Sequence, residues 1–148
     1  MLQVLPVDVA KERWDDLWKL LCLALPGEDI QKEEAIKNAV AEGRLLLWGL
    51  IVDEKLVGVA ATTIYYQALY GNACLILYAA YVPDGMNTQQ FVECYQTLTA
   101  FGRDLGCQSI NFYSSNPKLL NWARRMNAKI ESYVTIPIYP AEGTHERS

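Results

Sequence analysis

The chain has 148 residues, of which 51% are hydrophobic and 20% charged, with a formal net charge of −4. That balance fits one globular domain with a sizeable core. It argues against a general nucleic-acid surface, because no basic cluster exists beyond Arg124-Arg125, and no apolar run approaches membrane-spanning length.

Leu2 to Val7 reads as a short first strand, with Pro6 placing it at an edge or a strand end. Asp8 is expected to cap the next helix, in which Trp14, Leu17, Trp18, Leu21 and Leu25 recur at helical spacing. Pro26-Gly27 should stop it. A second helix is predicted from Asp29 to Glu42, with Ile36, Ala39 and Val40 inward and Gly43 as its terminator. Leu45 to Val52, Leu56 to Tyr66 and Ala73 to Val82 read as three strands of an antiparallel meander. They turn at Asp53-Glu54-Lys55 and at Gly71-Asn72. These strands are apolar on both faces, as in a central sheet covered by helices on each side.

After Pro83-Asp84-Gly85, a helix is predicted from Thr88 to Leu105, with Phe91, Tyr95, Leu98 and Leu105 on one face and Gly106 as its stop. Ser109 to Ser114 reads as a strand, and a further helix begins at Asn116. A last strand is predicted from Tyr133 to Tyr139. Residues 1–140 thus form a single domain, and 141–148 a polar tail without core residues.

Cys22, Cys74, Cys94 and Cys107 include no C-x-x-C pair, and His145 is the single histidine, so no zinc site is expected. Apolar neighbours make these cysteines reduced core thiols of an intracellular protein. Met1-Leu2-Gln3-Val4 shows no basic region ahead of an apolar one, so no signal peptide is expected and the location is read as cytoplasmic. The acidic net charge suits a cationic partner or an amine substrate. Tyr65, Tyr66, Tyr70, Tyr78 and Tyr81 crowd two strands; the simpler expectation is sheet-face packing, the sharper one a binding surface.

The segment Asn116-Pro-Lys-Leu-Leu-Asn-Trp-Ala-Arg-Arg-Met-Asn-Ala-Lys-Ile resembles the final helix of the GNAT acetyltransferases. Leu119-Leu120 stand at the apolar pair and Arg124-Arg125 at the basic pair. Ala123 stands where a tyrosine acid is usual, and Asn127 where glycine is usual. The predicted order β, α, α, β, β, β, α, β, α, β is also that of the GNAT fold. The resemblance implies an α/β domain with a mixed, mostly antiparallel sheet and helices on both faces.

The same resemblance implies an acyl-CoA site at Tyr81-Val82-Pro83-Asp84-Gly85-Met86-Asn87-Thr88-Gln89-Gln90. It would use Tyr81, Val82, Gly85, Asn87, Thr88 and Gln89, together with Asn116. A diphosphate would be held there by backbone N–H groups at a helix start. The family's glycine pair and basic residue are absent, Asp84 adds a negative charge, and Asn87 with Gln90 reads as a capping box. Acetyl-CoA is therefore expected to bind weakly or not at all, with no metal. Ala123 cannot protonate a thiolate, and no catalytic residue is assigned; Tyr113 and Tyr133 are the nearest phenols in sequence, and Glu93 and Asp104 are expected to face solvent.

The resemblance thus implies a GNAT-like domain with a degraded acyl-CoA site, non-catalytic or strongly divergent. It would be an accessory or binding protein, loosely similar to small phage-encoded, virion-associated ones, with a protein partner and neither nucleic acid nor membrane. The alternative is an acetyl-CoA-dependent N-acetyltransferase acting on a small amine or protein amine.

Overall fold

A computed structural model describes residues 1–25, 30–67, 71–112, 117–130, 134 and 136–138. The order is β1 (Leu2–Val4), α1 (Val7–Glu12), α2 (Trp14–Ala24), α3 (Ile30–Ala41), β2 (Leu46–Val52), β3 (Lys55–Gln67), β4 (Asn72–Tyr81), α4 (Thr88–Asp104), β5 (Cys107–Asn111) and α5 (Pro117–Arg125). Chain contacts gather into two units, Met1–Tyr113 and Ser114–Ser148.

In the first unit the strands lie in the order β1-β2-β3-β4-β5. The first four are antiparallel, and β5 joins β4 in parallel. A parallel partner needs a crossover, and α4 supplies it. Each face of the sheet carries its own core. On one face Leu47, Val59, Ala61 and Ala79 pack with Trp14, Leu17, Leu21, Ile36 and Val40. On the other, Trp48, Leu50, Ala60 and Leu75 pack with Leu98, with Phe101 partly buried against them. Two-sided burial explains why β2 and β4 read as continuous apolar runs rather than alternating ones.

The expected first long helix is two helices. Its N-cap is Pro6, not Asp8, which sits in the first turn. Arg13, at φ −109° and ψ 20°, separates α1 from α2. The split lets Ala10 and the Trp14 stripe both face the sheet. Trp14 stacks on Trp18 with ring centroids 5.9 Å apart. Pro26-Gly27 and Asp29 lie outside the described residues. Leu98 of the α4 stripe is buried as expected, but Leu105 is exposed at the C-cap, and Cys94 and Phe101 join Leu98 against the sheet.

Turns follow residue chemistry. Gly43 (φ 76°) ends α3 and Gly106 (φ 81°) follows α4, both in the left-handed region where glycine carries no Cβ penalty. The β2–β3 hairpin joins Val52 to Lys55 through Asp53 (φ 50°) and Glu54 (φ 66°). Two positive φ values match the right-handed strand twist, although Glu54 is a poor residue for that conformation.

The second unit contains α5. Pro117 opens it, where a missing N–H costs nothing, and Arg124 and Arg125 occupy its last turn, where cations complement the helix dipole. Asn127 has φ 61°. Its N–H donates to the Arg124 carbonyl at 3.0 Å, and the Ala128 N–H reaches the Ala123 carbonyl at 3.0 Å. That double closure is a Schellman end, with asparagine in the glycine place. In the region expected to form the last strand, residues 133, 135 and 139 lie outside the described residues, and Val134, Ile136 and Ile138 are exposed.

Candidate functional site

The β3–β4 ladder shifts register at one place. Ala61 pairs with Ala79 and Thr62 with Leu77, so Tyr78 has no partner. This is a bulge of one residue, which bends a strand and re-aims its side chains. On the opposite edge, β4 pairs with β5 over Ala73 to Ile76. Beyond Ile76, among the described residues, Leu77 and Ala79 to Tyr81 pair with β3 alone. Among the described residues, the β4 edge beyond Ile76 thus has no β5 partner, and its backbone groups there are of the kind that an extended ligand can pair with.

Thr62 anchors the bulge from below. It is fully buried, and its Oγ1 accepts the Trp48 indole N–H at 2.8 Å. The Phe101 ring meets Trp48 edge to face, with centroids 4.9 Å apart, so the sheet is tied to α4 at this level. Gly58 holds the end of β4 in place. A Cβ there would meet Val82 Cγ2 at 2.8 Å and the Tyr81 carbonyl oxygen at 3.1 Å, so only glycine admits this approach.

The connection to α4 is a turn in which the Gly85 N–H donates to the Val82 carbonyl at 2.9 Å, with Gly85 at φ 72°. Asn87 caps α4. Its side chain accepts the Gln90 N–H at 2.8 Å, and the Gln90 side chain accepts the Asn87 N–H at 3.1 Å. The capping box expected from sequence is present, and two donors at the helix start are already satisfied. Asp84 is exposed on the same connection. Gln89 reaches Glu93 at 3.4 Å along the helix surface. Among the described residues of this connection there is no basic side chain, and the Gln90 N–H is already taken by the cap.

The residues singled out in sequence are placed as follows. Tyr81 packs partly on the core beneath the first three helices, and Val82 on the core beneath α4. Asn87, Thr88 and Gln89 are exposed at the α4 N-terminus. Asn116, Tyr113 and Tyr133 lie outside the described residues. Ala123 is 3% exposed, so its methyl is part of packing. Glu93 and Asp104 face solvent. Among the described residues no group of histidine, cysteine and carboxylate side chains could hold a metal. Burial pushes the Cys74 thiol up, with Cys107 adding to the effect, and also raises Cys94. Neither is set up as a nucleophile.

Tyr65, Tyr66 and Tyr78 are 54%, 69% and 49% exposed, so sheet-face packing does not account for them. Tyr66 and Tyr78 line a cavity of about 680 Å³ bounded by α3, the α3–β2 turn and β3. The bulged residue thus joins the open β4 edge to a cavity of ligand size. The family resemblance implies a bulged strand that splays from its neighbour, but sequence reading placed neither the bulge at Tyr78 nor the cavity. A bulge is a mismatch between two strands and leaves no mark in either one alone.

No protein-family model matches the sequence, and no curated protein matches it. Solved structures do. A ribosomal-protein-alanine N-acetyltransferase from Brucella melitensis biovar Abortus 2308 superposes with a TM-score of 0.68 at 13% identity, over 94% of this chain and 98% of that one. An aminoglycoside acetyltransferase from an uncultured soil metagenomic sample, in complex with sisomicin, gives 0.69 at 13% identity, over 95% of each chain. An aminoglycoside N-acetyltransferase in complex with CoA gives 0.62 at 16% identity, over 95% of this chain and 93% of that one. The chain adopts the GNAT fold.

Proposed function

We propose that this chain is a strongly divergent N-acyltransferase-like protein whose acyl-CoA site has lost its diphosphate cradle. Acetyl-CoA, if taken, is held weakly, through its extended arm along Leu77 to Tyr81 and with little contribution from Asn87, Thr88 and Gln89. The observation that carries this reading is the pairing of an open, bulged β4 edge with a helix start already closed by Asn87 and Gln90. An arm lying on the edge can take strand-like hydrogen bonds. A diphosphate at α4 would have to displace the cap and approach Asp84.

The capping box also favours a second reading, an accessory or binding protein of the phage-associated kind that has abandoned acyl transfer. Amide chemical shifts during acetyl-CoA titration separate the two. Changes centred on Leu77 to Tyr81, with small ones at Thr88 to Gln90, support the divergent site. No change on β4 at millimolar acetyl-CoA supports the accessory reading and refutes the first.

A further inference from the structure

The cavity beside Tyr78 lies where β3 outruns β2. Leu46 pairs with Thr62, and among the described residues β3 continues to Gln67 without that partner, so α3 and the α3–β2 turn bound the cavity instead. Its floor is apolar. Ile36 and Leu45 are buried core residues, Ala39 packs against the same core, and Ile64 is partly buried. Besides the two tyrosines, four polar side chains line it among the described residues, and each is already engaged. Thr62 accepts the Trp48 indole N–H at 2.8 Å. The Thr63 hydroxyl donates to the Arg44 carbonyl at 2.9 Å. The Arg44 guanidinium pairs with Glu42 at 2.7 Å, and Lys32 is engaged as well. The walls therefore offer a ligand apolar surface and the rings of Tyr66 and Tyr78, which are 69% and 49% exposed.

We infer that this cavity binds a small, uncharged aromatic molecule, with its ring against Tyr66 and Tyr78. A volume of about 680 Å³ takes one bicyclic ring and its substituent. Seating the ring there removes water from the ligand, from both tyrosines and from the aliphatic floor. Offset or edge-to-face ring pairs add to that gain. A charged ligand fares worse. It would shed its water and meet cations that are already engaged, so nothing offsets its desolvation. The inference goes beyond the acyl-CoA site and does not depend on it, because Tyr78 is the one lining residue drawn from β4.

Three probes sharing one ring test it: indole-3-ethanol, indole-3-acetate and indole-3-ethylamine, titrated without CoA and followed by amide chemical shifts. The neutral alcohol is expected to bind about fivefold or more tightly than either ion, with shifts centred on Ala39, Leu45, Ile64, Tyr66 and Tyr78. Tyr66→Ala and Tyr78→Ala should each weaken it about two- to tenfold while the urea unfolding midpoint holds, because both rings are exposed. Ala35 lines the cavity from an exposed position of α3, so Ala35→Trp should block the site. Four results overturn the inference: no shift with the alcohol at millimolar concentration, shifts scattered over the surface, an ion bound as tightly as the alcohol, or an affinity unchanged by the tyrosine substitutions. Binding that survives Ala35→Trp in a folded chain overturns it too.

Discussion

Replacing Asn87 with glycine separates a cap from a cradle. Asn87 Oδ1 now accepts the Gln90 N–H at 2.8 Å, and Asn87→Gly removes that acceptor without disturbing the backbone. Glycine is itself a tolerated N-cap, so the loss of stability should be only a few tenths of a kcal/mol. The Gln90 N–H then joins those of Thr88 and Gln89 at the positive end of the helix dipole. One charge-assisted hydrogen bond to a diphosphate contributes about 1.5–3 kcal/mol. Affinity for CoA should therefore rise by about ten- to hundredfold. Asp84→Asn, which removes the nearby carboxylate, should add a smaller gain that fades with salt. Calorimetry with CoA measures the affinity, and urea denaturation checks the fold. If Asn87→Gly folds normally and binds CoA no better, the cap is not what closes the site. If binding falls, Asn87 itself holds the cofactor, and the account of a lost cradle is wrong.

Other substitutions test the frame around the site. Thr62→Val keeps the shape but leaves the Trp48 indole N–H buried without an acceptor, and should cost about 1–3 kcal/mol in urea denaturation. Glu54→Gly relieves a side chain held at φ 66° and should raise stability by about 0.5–1 kcal/mol. Asn127→Gly should be neutral or mildly stabilising because φ is already 61°, whereas Asn127→Ala should cost about 1 kcal/mol; a loss with glycine would contradict the left-handed helix end.

What could be read in the sequence is what short-range chemistry decides. Gly43, Gly106 and Asn127 announce helix ends because a left-handed residue is needed there, whatever packs around it. Asn87 and Gln90 announce a helix start because their reciprocal hydrogen bonds span only one turn. The break at Arg13 was hidden, since neither glycine nor proline marks it and the apolar spacing continues across it. The exposure of Tyr65 and Tyr66 was hidden as well, because residue type favours burial and only the assembled sheet shows what covers each side. The bulge at Tyr78 and the close approach at Gly58 depend on strand register. The cavity at Tyr78 joins residues of α3 and the next turn to two tyrosines from other strands, a meeting that only the fold makes.

The central claim is that this GNAT fold keeps an open β4 edge but has lost its diphosphate cradle. Comparing acetyl-CoA with acetyl-pantetheine by calorimetry tests it most directly, because the two share the arm and the thioester and only the first carries the nucleotide. The account predicts two weak affinities within about threefold of each other, a gap of well under 1 kcal/mol. Acetyl-CoA binding about a hundredfold or more tightly than acetyl-pantetheine, with shifts concentrated at Gly85 to Gln90, would contradict it.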